Sequence, residues 1–270
     1  MNEAQSGDER VVIPLQPGSN AWCRRIVRGM VLVCITLALV VVWFVGLPIT
    51  WIQPKWRRKW RHFVFRTWSR TSLAICSIRV EVVGALPVQP CFLVANHLGY
   101  VDVLVIAASI DATFVSMKEI ERWPLFGSMA RQFGTVFIDR AQKRDIPSVN
   151  RELESAFERS DAVVVFPEGR HTRGASVLEF RASLLEPAAR ANRPVAWAVL
   201  HYATSASDPP ASIVIPWVGV AFWRQALVLL AVKRVEARLE FGEDVVRGSD
   251  RKELARILHA KVSGCFVALE

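Results

Sequence analysis

From Gly29 to Ile52 the chain carries no charged residue, and Met30–Leu47 is almost wholly apolar. At about 1.5 Å per residue this run makes a helix of roughly 27 Å, barely enough to span a hydrocarbon core. Pro48 is expected to end it. The pattern then changes. Trp56, Trp60, Phe63, Val64 and Trp68 recur at helical spacing with basic residues filling much of the rest, which predicts an amphipathic helix lying in a membrane interface. Residues 1–20, ahead of both segments, are polar and without period, and read as a disordered tail.

After residue 73 short apolar runs alternate with helical stretches. Strands are expected at Ile78–Val83, Phe92–Ala95, Thr135–Ile138, Ala162–Phe166, Val195–Leu200 and Val235–Phe241. Helices are expected at Val101–Ser109, Ser148–Arg159, Ser183–Ala191 and, with Ser249 as N-cap, Asp250–Val262. The fold class this predicts is α/β, a mostly buried mixed sheet flanked by helices, preceded by an N-terminal membrane-associated helical segment. The expected layout is a tail over residues 1–20, the membrane-associated segment over 21–73, the α/β domain over 74–246 and a C-terminal helix over 247–270 packed on that domain.

Composition sharpens this picture. A chain of 270 residues holds one catalytic domain plus an appendage. Six of the ten tryptophans (22, 43, 51, 56, 60 and 68) lie in the first quarter, so the lipophilic character implied by a mean hydropathy of +0.26 is concentrated there. The net charge of +9, with clustered arginines, implies an anionic partner: nucleic acid, lipid headgroups or a phosphorylated substrate. The five cysteines (23, 34, 76, 91 and 265) are scattered, which suggests neither a disulfide framework nor a zinc site and fits a reducing compartment. Acidic residues at 3, 8 and 9 and the absence of a small-residue cleavage site argue that the apolar segment is retained. Basic residues flank it on both sides, Arg24, Arg25 and Arg28 before and Lys55, Arg57, Arg58, Lys59 and Arg61 after. Two arrangements follow: a single span, or a helix that dips into the membrane with both ends on the cytoplasmic side.

Four segments carry candidate chemistry. Asn96-His97-Leu98-Gly99-Tyr100-Val101-Asp102 joins an apolar strand to a helix. On one helix, residues five apart point about 140° apart, but a turn at Gly99 brings His97 back over Asp102. A carboxylate on one imidazole nitrogen fixes the tautomer and leaves the other nitrogen to take a proton. The plainer alternative is a strand-end histidine beside an aspartate that favours the first helical turn. Gly134-Thr135-Val136-Phe137-Ile138-Asp139-Arg140 is a strand delivering Arg140 at its C-terminal end, suited to a phosphate. Phe166-Pro167-Glu168-Gly169-Arg170-His171-Thr172-Arg173-Gly174 runs from a buried strand into a turn holding two glycines, an acid and two arginines. Finally, Lys118 adds a cation ahead of Trp123-Pro124-Leu125-Phe126-Gly127, whose apolar residues suit either an acyl groove or ordinary packing.

In this order the four segments resemble the glycerophospholipid acyltransferase family, over roughly residues 75–245. Asn96, His97 and Asp102 meet its Asn-His-x-x-x-x-Asp pattern, and Gly134, Phe137, Ile138 and Arg140 meet Gly-x-x-Phe-Ile-x-Arg. Phe166-Pro167-Glu168-Gly169 opens its Phe-Pro-Glu-Gly-Thr-Arg block, and Lys118, Glu119, Pro124 and Gly127 match an intermediate segment. Two departures stand out. Gly99 occupies a position where serine is common, and Arg170-His171 replaces Thr-Arg, leaving Arg170 and Arg173 both as candidates for the phosphate-binding arginine. Phe180-Arg181-Ala182-Ser183-Leu184 and Trp217-Val218-Gly219 look like a bacterial subgroup that includes lyso-ornithine-lipid acyltransferases.

The resemblance implies an O-acyltransferase in phospholipid biosynthesis, transferring an acyl group from acyl-CoA or acyl carrier protein to the free hydroxyl of a lysophospholipid, most directly 1-acylglycerol-3-phosphate. It implies His97 and Asp102 as catalytic residues, with Asn96, Lys118, Arg140, Glu168, Gly169, Arg170 and Arg173 binding substrate. No cofactor or metal is implied. The expected setting is a bacterial inner membrane with the catalytic domain facing the cytoplasm; the partners are the lipid bilayer, the acceptor and the donor, and no nucleic acid. Acylation of a phosphate-free lysolipid such as lyso-ornithine lipid, a hydrolase or transacylase using the same base, and an inactive membrane-bound adaptor are the alternatives.

Overall fold

The computed structural model describes residues 19–123, 126–138, 153, 156, 157 and 161–270. Two long helices come first, α1 (Ser19–Ile52) and α2 (Pro54–Ile75). Helix α1 continues through Pro48, where the sequence pattern ended it. Proline removes one backbone donor and crowds one preceding carbonyl, and so close to the end of the helix the disturbance stays within the last turns. Ser19 and Asn20, assigned to the tail, already belong to α1; the rest of the tail lies outside the described residues.

Trp60 Nε1 donates to Trp43 O at 3.4 Å and Trp68 Nε1 to Thr36 Oγ1 at 3.1 Å, so the two helices run antiparallel. Asn20–Pro48 is long and apolar enough to cross a membrane. Its residues Met30, Val33, Leu37, Val41, Phe44 and Val45 are exposed, as are Trp56, Lys59 and Phe63 along α2. This outward surface is largely apolar, with Lys59 among its exposed residues.

Many of the basic residues that flank the apolar segment are engaged with the protein itself. Arg24 donates to Ala231 O at 2.9 Å, Arg25 to Leu227 O at 3.2 Å, and Arg28 to Leu230 O at 3.2 Å and Val232 O at 2.5 Å. The Leu230, Ala231 and Val232 carbonyls lie at or just beyond the C-terminus of helix α8 (Phe222–Ala231), where intrahelical donors run out and the helix dipole favours cations; Leu227 O lies one turn earlier. From α2, Arg58, Arg61 and His62 bond the fully buried Asp161 at 2.9, 2.5 and 2.7 Å, and Thr113 joins them at 2.8 Å. Arg66 reaches Asp111 at 2.7 Å and Arg70 reaches Ala108 O at 3.0 Å. A linear sequence offers only a basic flank; the folded chain supplies the acceptors, from Ala108 and Asp111, nearest in sequence, to the end of α8 some two hundred residues away.

The domain itself is a seven-stranded sheet of order β1-β7-β6-β2-β5-β3-β4. Its strands are β1 (Ile78–Val83), β2 (Cys91–Ala95), β3 (Ala112–Met117), β4 (Val136–Ile138), β5 (Ala162–Val165), β6 (Val195–Thr204) and β7 (Val235–Phe241). Every pairing is parallel except β6 with β7. The mixed, mostly buried sheet is the expected one. β2 and β5 are buried along their whole length, which is why they read as unbroken apolar runs. Alternate residues feed two cores, Leu93, Ala95 and Val164 toward the α1/α2 side, Phe92, Val94 and Val165 toward the opposite side.

Several elements differ from expectation. Strand β3 has no counterpart among the expected strands: Thr113 and Ser116 interrupt its apolar run, yet it slots between β5 and β4. Helix α8 and the single turn α7 (Ala211–Val214) ahead of it are likewise additional. The expected helix Ser183–Ala191 divides into a 3-10 turn (Ala182–Leu184) and a short helix α6 (Glu186–Arg190), because Pro187 suits a first turn and not a helix interior. The last helix, α9 (Arg251–Cys265), is capped by Asp250, not Ser249: its carboxylate accepts from Lys252 N at 2.7 Å and Glu253 N at 3.3 Å. The expected helix Ser148–Arg159 lies outside the described residues apart from Leu153, Ala156 and Phe157, all buried.

Candidate active site

The C-terminal ends of β2, β5 and β3 meet on one edge of the sheet, where ligands collect in parallel α/β architectures. His97 follows β2, and helix α3 (Tyr100–Ser109) starts three residues later with Asp102 in its first turn. The intervening turn folds the histidine back onto the carboxylate: His97 Nδ1 lies 2.8 Å from Asp102 Oδ2. The same oxygen accepts Leu98 N at 2.6 Å and Gly99 N at 2.9 Å, and the other accepts the Tyr202 hydroxyl at 2.7 Å. Asp102 is fully buried, and these four donors replace the water it lost. Gly99 is demanded by crowding, since a Cβ there would stand 2.7 Å from Ile215 O.

With Nδ1 committed to the carboxylate, Nε2 is the nitrogen that can exchange a proton. The His97 ring lies flat on Phe166, centroids 4.0 Å apart at 12°, while His171 packs at 4.3 Å and 57°. His171 also meets Trp217 at 5.4 Å. Burial pushes the His171 imidazole down to about 4, the neighbouring His97 pushes the same way, and Asp102 opposes it.

Glu168 was expected to bind substrate. It is instead buried, with Oε1 accepting His97 N at 2.7 Å and Oε2 accepting Leu178 N at 2.8 Å. It thus staples the histidine turn to the loop after β5. Burial raises its pKa, and the two N–H bonds pull the other way. Asn96 is likewise spent on the fold: its amide donates to Leu200 O at 3.0 Å and accepts from Leu200 N at 2.8 Å, extending the β2–β6 ladder by a side chain.

His97, Gly169 and Arg170 line a cavity of about 270 Å³, and Arg170 is exposed at its rim. The remaining wall is almost entirely apolar: Phe65 and Trp68 from α2, Tyr100, Val103 and Leu104 from α3, Phe114 from β3, Met129 and Phe133 from around helix α5 (Phe126–Gln132), then Trp217 and Phe222. The cavity therefore runs from the base toward α2. Lys118 begins the short helix α4 (Lys118–Glu121) and Arg173 stands exposed on the loop after β5; neither lines the cavity. Arg140 and Pro124 lie outside the described residues.

Sequence reasoning missed Tyr202, the place of Trp217 in the cavity wall and the contact of His171 with the base. One signal was available: the chain has only two tyrosines, and both Tyr100 and Tyr202 flank the site.

A buried carboxylate holding an imidazole at the C-terminal edge of a mostly parallel sheet, beside an apolar cavity walled in part by α2, is the arrangement of an α/β enzyme with a histidine base and an apolar substrate site. Comparison with known proteins gives the family. Residues 77–201 match the family model described as Acyltransferase. The chain is 30% identical over 255 residues to lyso-ornithine lipid O-acyltransferase of Rhizobium meliloti (strain 1021), covering 89% of this chain and 85% of that one. It is 31% identical over 191 residues to 1-acyl-sn-glycerol-3-phosphate acyltransferase of Neisseria meningitidis serogroup B, covering 68% and 73%. The crystal structure of the 1-acyl-sn-glycerophosphate (LPA) acyltransferase PlsC from Thermotoga maritima shares the fold, with a TM-score of 0.63 at 19% identity over 89% of this chain and 95% of that one. The chain belongs to the acyltransferase family, as the motifs indicated.

Proposed function

We propose that the protein transfers an acyl group from an acyl thioester, acyl-CoA or acyl carrier protein, to the free hydroxyl of a lysolipid, with His97 as general base. The observation that carries this is the Asp102-held imidazole in the wall of the apolar cavity. Nε2 removes the hydroxyl proton as its oxygen attacks the thioester carbonyl, and the C–S bond breaks with the proton passed on to the departing thiol. Proton transfer of this kind contributes about 10² to 10⁴-fold. Asp102 holds the tautomer and stabilises the imidazolium. Tyr202, Glu168 and Asn96 act as positioning residues, and no enzyme nucleophile or cofactor enters the reaction.

The acceptor's headgroup is anionic in this reading, gripped by Arg170 at the rim, with Arg140, Lys118 and Arg173 as further cations for it. 1-Acylglycerol-3-phosphate, giving phosphatidic acid, is the first reading. Lyso-ornithine lipid is the second, favoured by a specific observation: the family's Thr-Arg is Arg170-His171 here, so a weakly basic imidazole occupies the second position. The setting in this reading is a bacterial inner membrane with the catalytic domain on the cytoplasmic face; the exposed apolar surface of α1 and α2 supports the membrane association. A panel of lysolipids, including both acceptors, assayed with both donors tests this. Product from lysophosphatidic acid supports the first reading, turnover confined to lyso-ornithine lipid replaces it with the second, and release of free acid without any acceptor points to a hydrolase.

A further inference from the structure

The developing oxyanion on the thioester carbonyl needs donors, and the backbone N–H groups flanking the base are committed elsewhere. His97 N donates to Glu168, Leu98 N and Gly99 N to Asp102, and Gly169 N to Phe166 O at 3.2 Å. Arg170 is exposed at the cavity rim, where the proposed function gives it to the headgroup. The His171 ring has no hydrogen-bond partner among the described residues, although it lines the cavity against the base and against Trp217. The ring is half-buried in the cavity wall, so its N–H is open to a bound substrate.

We propose that the His171 side chain donates the hydrogen bond that stabilises the oxyanion formed from the acyl thioester. The inference rests on the reading of His97 as the general base of acyl transfer. With the acceptor oxygen roughly 3 Å from His97 Nε2 and the carbonyl carbon about 3–3.5 Å from that oxygen, the carbonyl oxygen falls within reach of a ring packed against the His97 ring. In the step itself the hydroxyl oxygen forms a bond to the carbonyl carbon, its proton moves to His97, and the C=O π pair moves onto oxygen beside His171. Collapse re-forms C=O, breaks C–S and returns the proton to the thiolate. An imidazole that stays uncharged at neutral pH suits this role, because it donates without adding a positive charge next to the protonating base.

The test compares His171→Phe, which keeps an aromatic ring between His97 and Trp217 but has no N–H, with His171→Gln, which keeps a donor. Both are assayed for kcat and for KM of acceptor and donor in the full-length protein, using the acceptor that the wild type turns over fastest. Loss of one oxyanion donor corresponds to about 10² to 10³-fold in kcat. H171F is expected to fall by that factor with both KM values within threefold, and H171Q to recover at least tenfold of the loss. Near-normal kcat in H171F overturns the proposal and moves the role to a backbone N–H. A raised acceptor KM at unchanged kcat in H171F also overturns it, making His171 a headgroup contact. Failure of the underlying reading looks different: the wild type then transfers no acyl group to any lysolipid.

Discussion

Asp102→Asn isolates the charge of the buried carboxylate from its shape. In the wild type one oxygen receives His97 Nδ1–H and the Leu98 and Gly99 N–H groups, and the other receives the Tyr202 hydroxyl. An asparagine oriented with its carbonyl toward the first three keeps all of them, and its amide meets Tyr202, whose hydroxyl can turn to accept. The tautomer of His97 is preserved and only the negative charge is lost. For charges about 4 Å apart at an effective dielectric constant of 20, that charge stabilises the imidazolium by about 4 kcal/mol, which corresponds to roughly 10³-fold in rate. Initial rates of transfer from a labelled acyl thioester to a lysolipid, with circular dichroism and membrane binding as controls, measure this. D102N is expected to stay folded and membrane-bound while kcat drops by about that factor. A folded D102N turning over within threefold of wild type refutes the argument that the pair works through charge.

Three further outcomes follow from the packing and electrostatics. Asp161→Asn leaves Arg58, Arg61 and His62 facing a buried neutral amide, and breaking such a cluster costs about 3–5 kcal/mol, read as a lower denaturation midpoint. Burial alone would raise the Asp161 pKa, but His62, Arg61 and Arg58 outweigh it and hold the carboxyl well below its ordinary 3.8; its stabilisation is therefore complete above about pH 4, is lost as pH falls through the folded value, and the acid-induced change in tryptophan fluorescence should be blunted in D161N. Ala130→Phe fills part of the 270 Å³ cavity and shifts the preferred donor toward shorter acyl chains in a competition assay, whereas an unchanged preference would place the acyl chain elsewhere. In a Cys34→Ser background, the exposed Cys23 and Cys265 should label from the same face of sealed vesicles, because Arg24, Arg25 and Arg28 tie the start of α1 to α8; labelling from opposite faces contradicts the dipping arrangement.

The α/β class and most strands were legible because β2 and β5 are buried on both faces and write unbroken apolar runs into the sequence. Strand β3 was not, because Thr113 is drawn into the core by Asp161, a partner that no local pattern reveals. The His97–Asp102 pairing was legible as a turn, but its Tyr202 support comes from a strand a hundred residues away. Glu168 and Asn96 stand out in a motif, yet the partners expected for them were substrate atoms, and both side chains face backbone groups. Motif positions mark which side chains the site needs; only the folded chain distinguishes those that meet substrate from those that hold the base in place.

The most direct test of His97 as the base is acyl transfer by His97→Ala, measured beside the wild type in lipid vesicles with labelled acyl thioester and the lysolipid panel. The expected result is diacyl product from the wild type and none above background from a folded, membrane-bound H97A. Near-normal turnover by H97A would contradict the assignment.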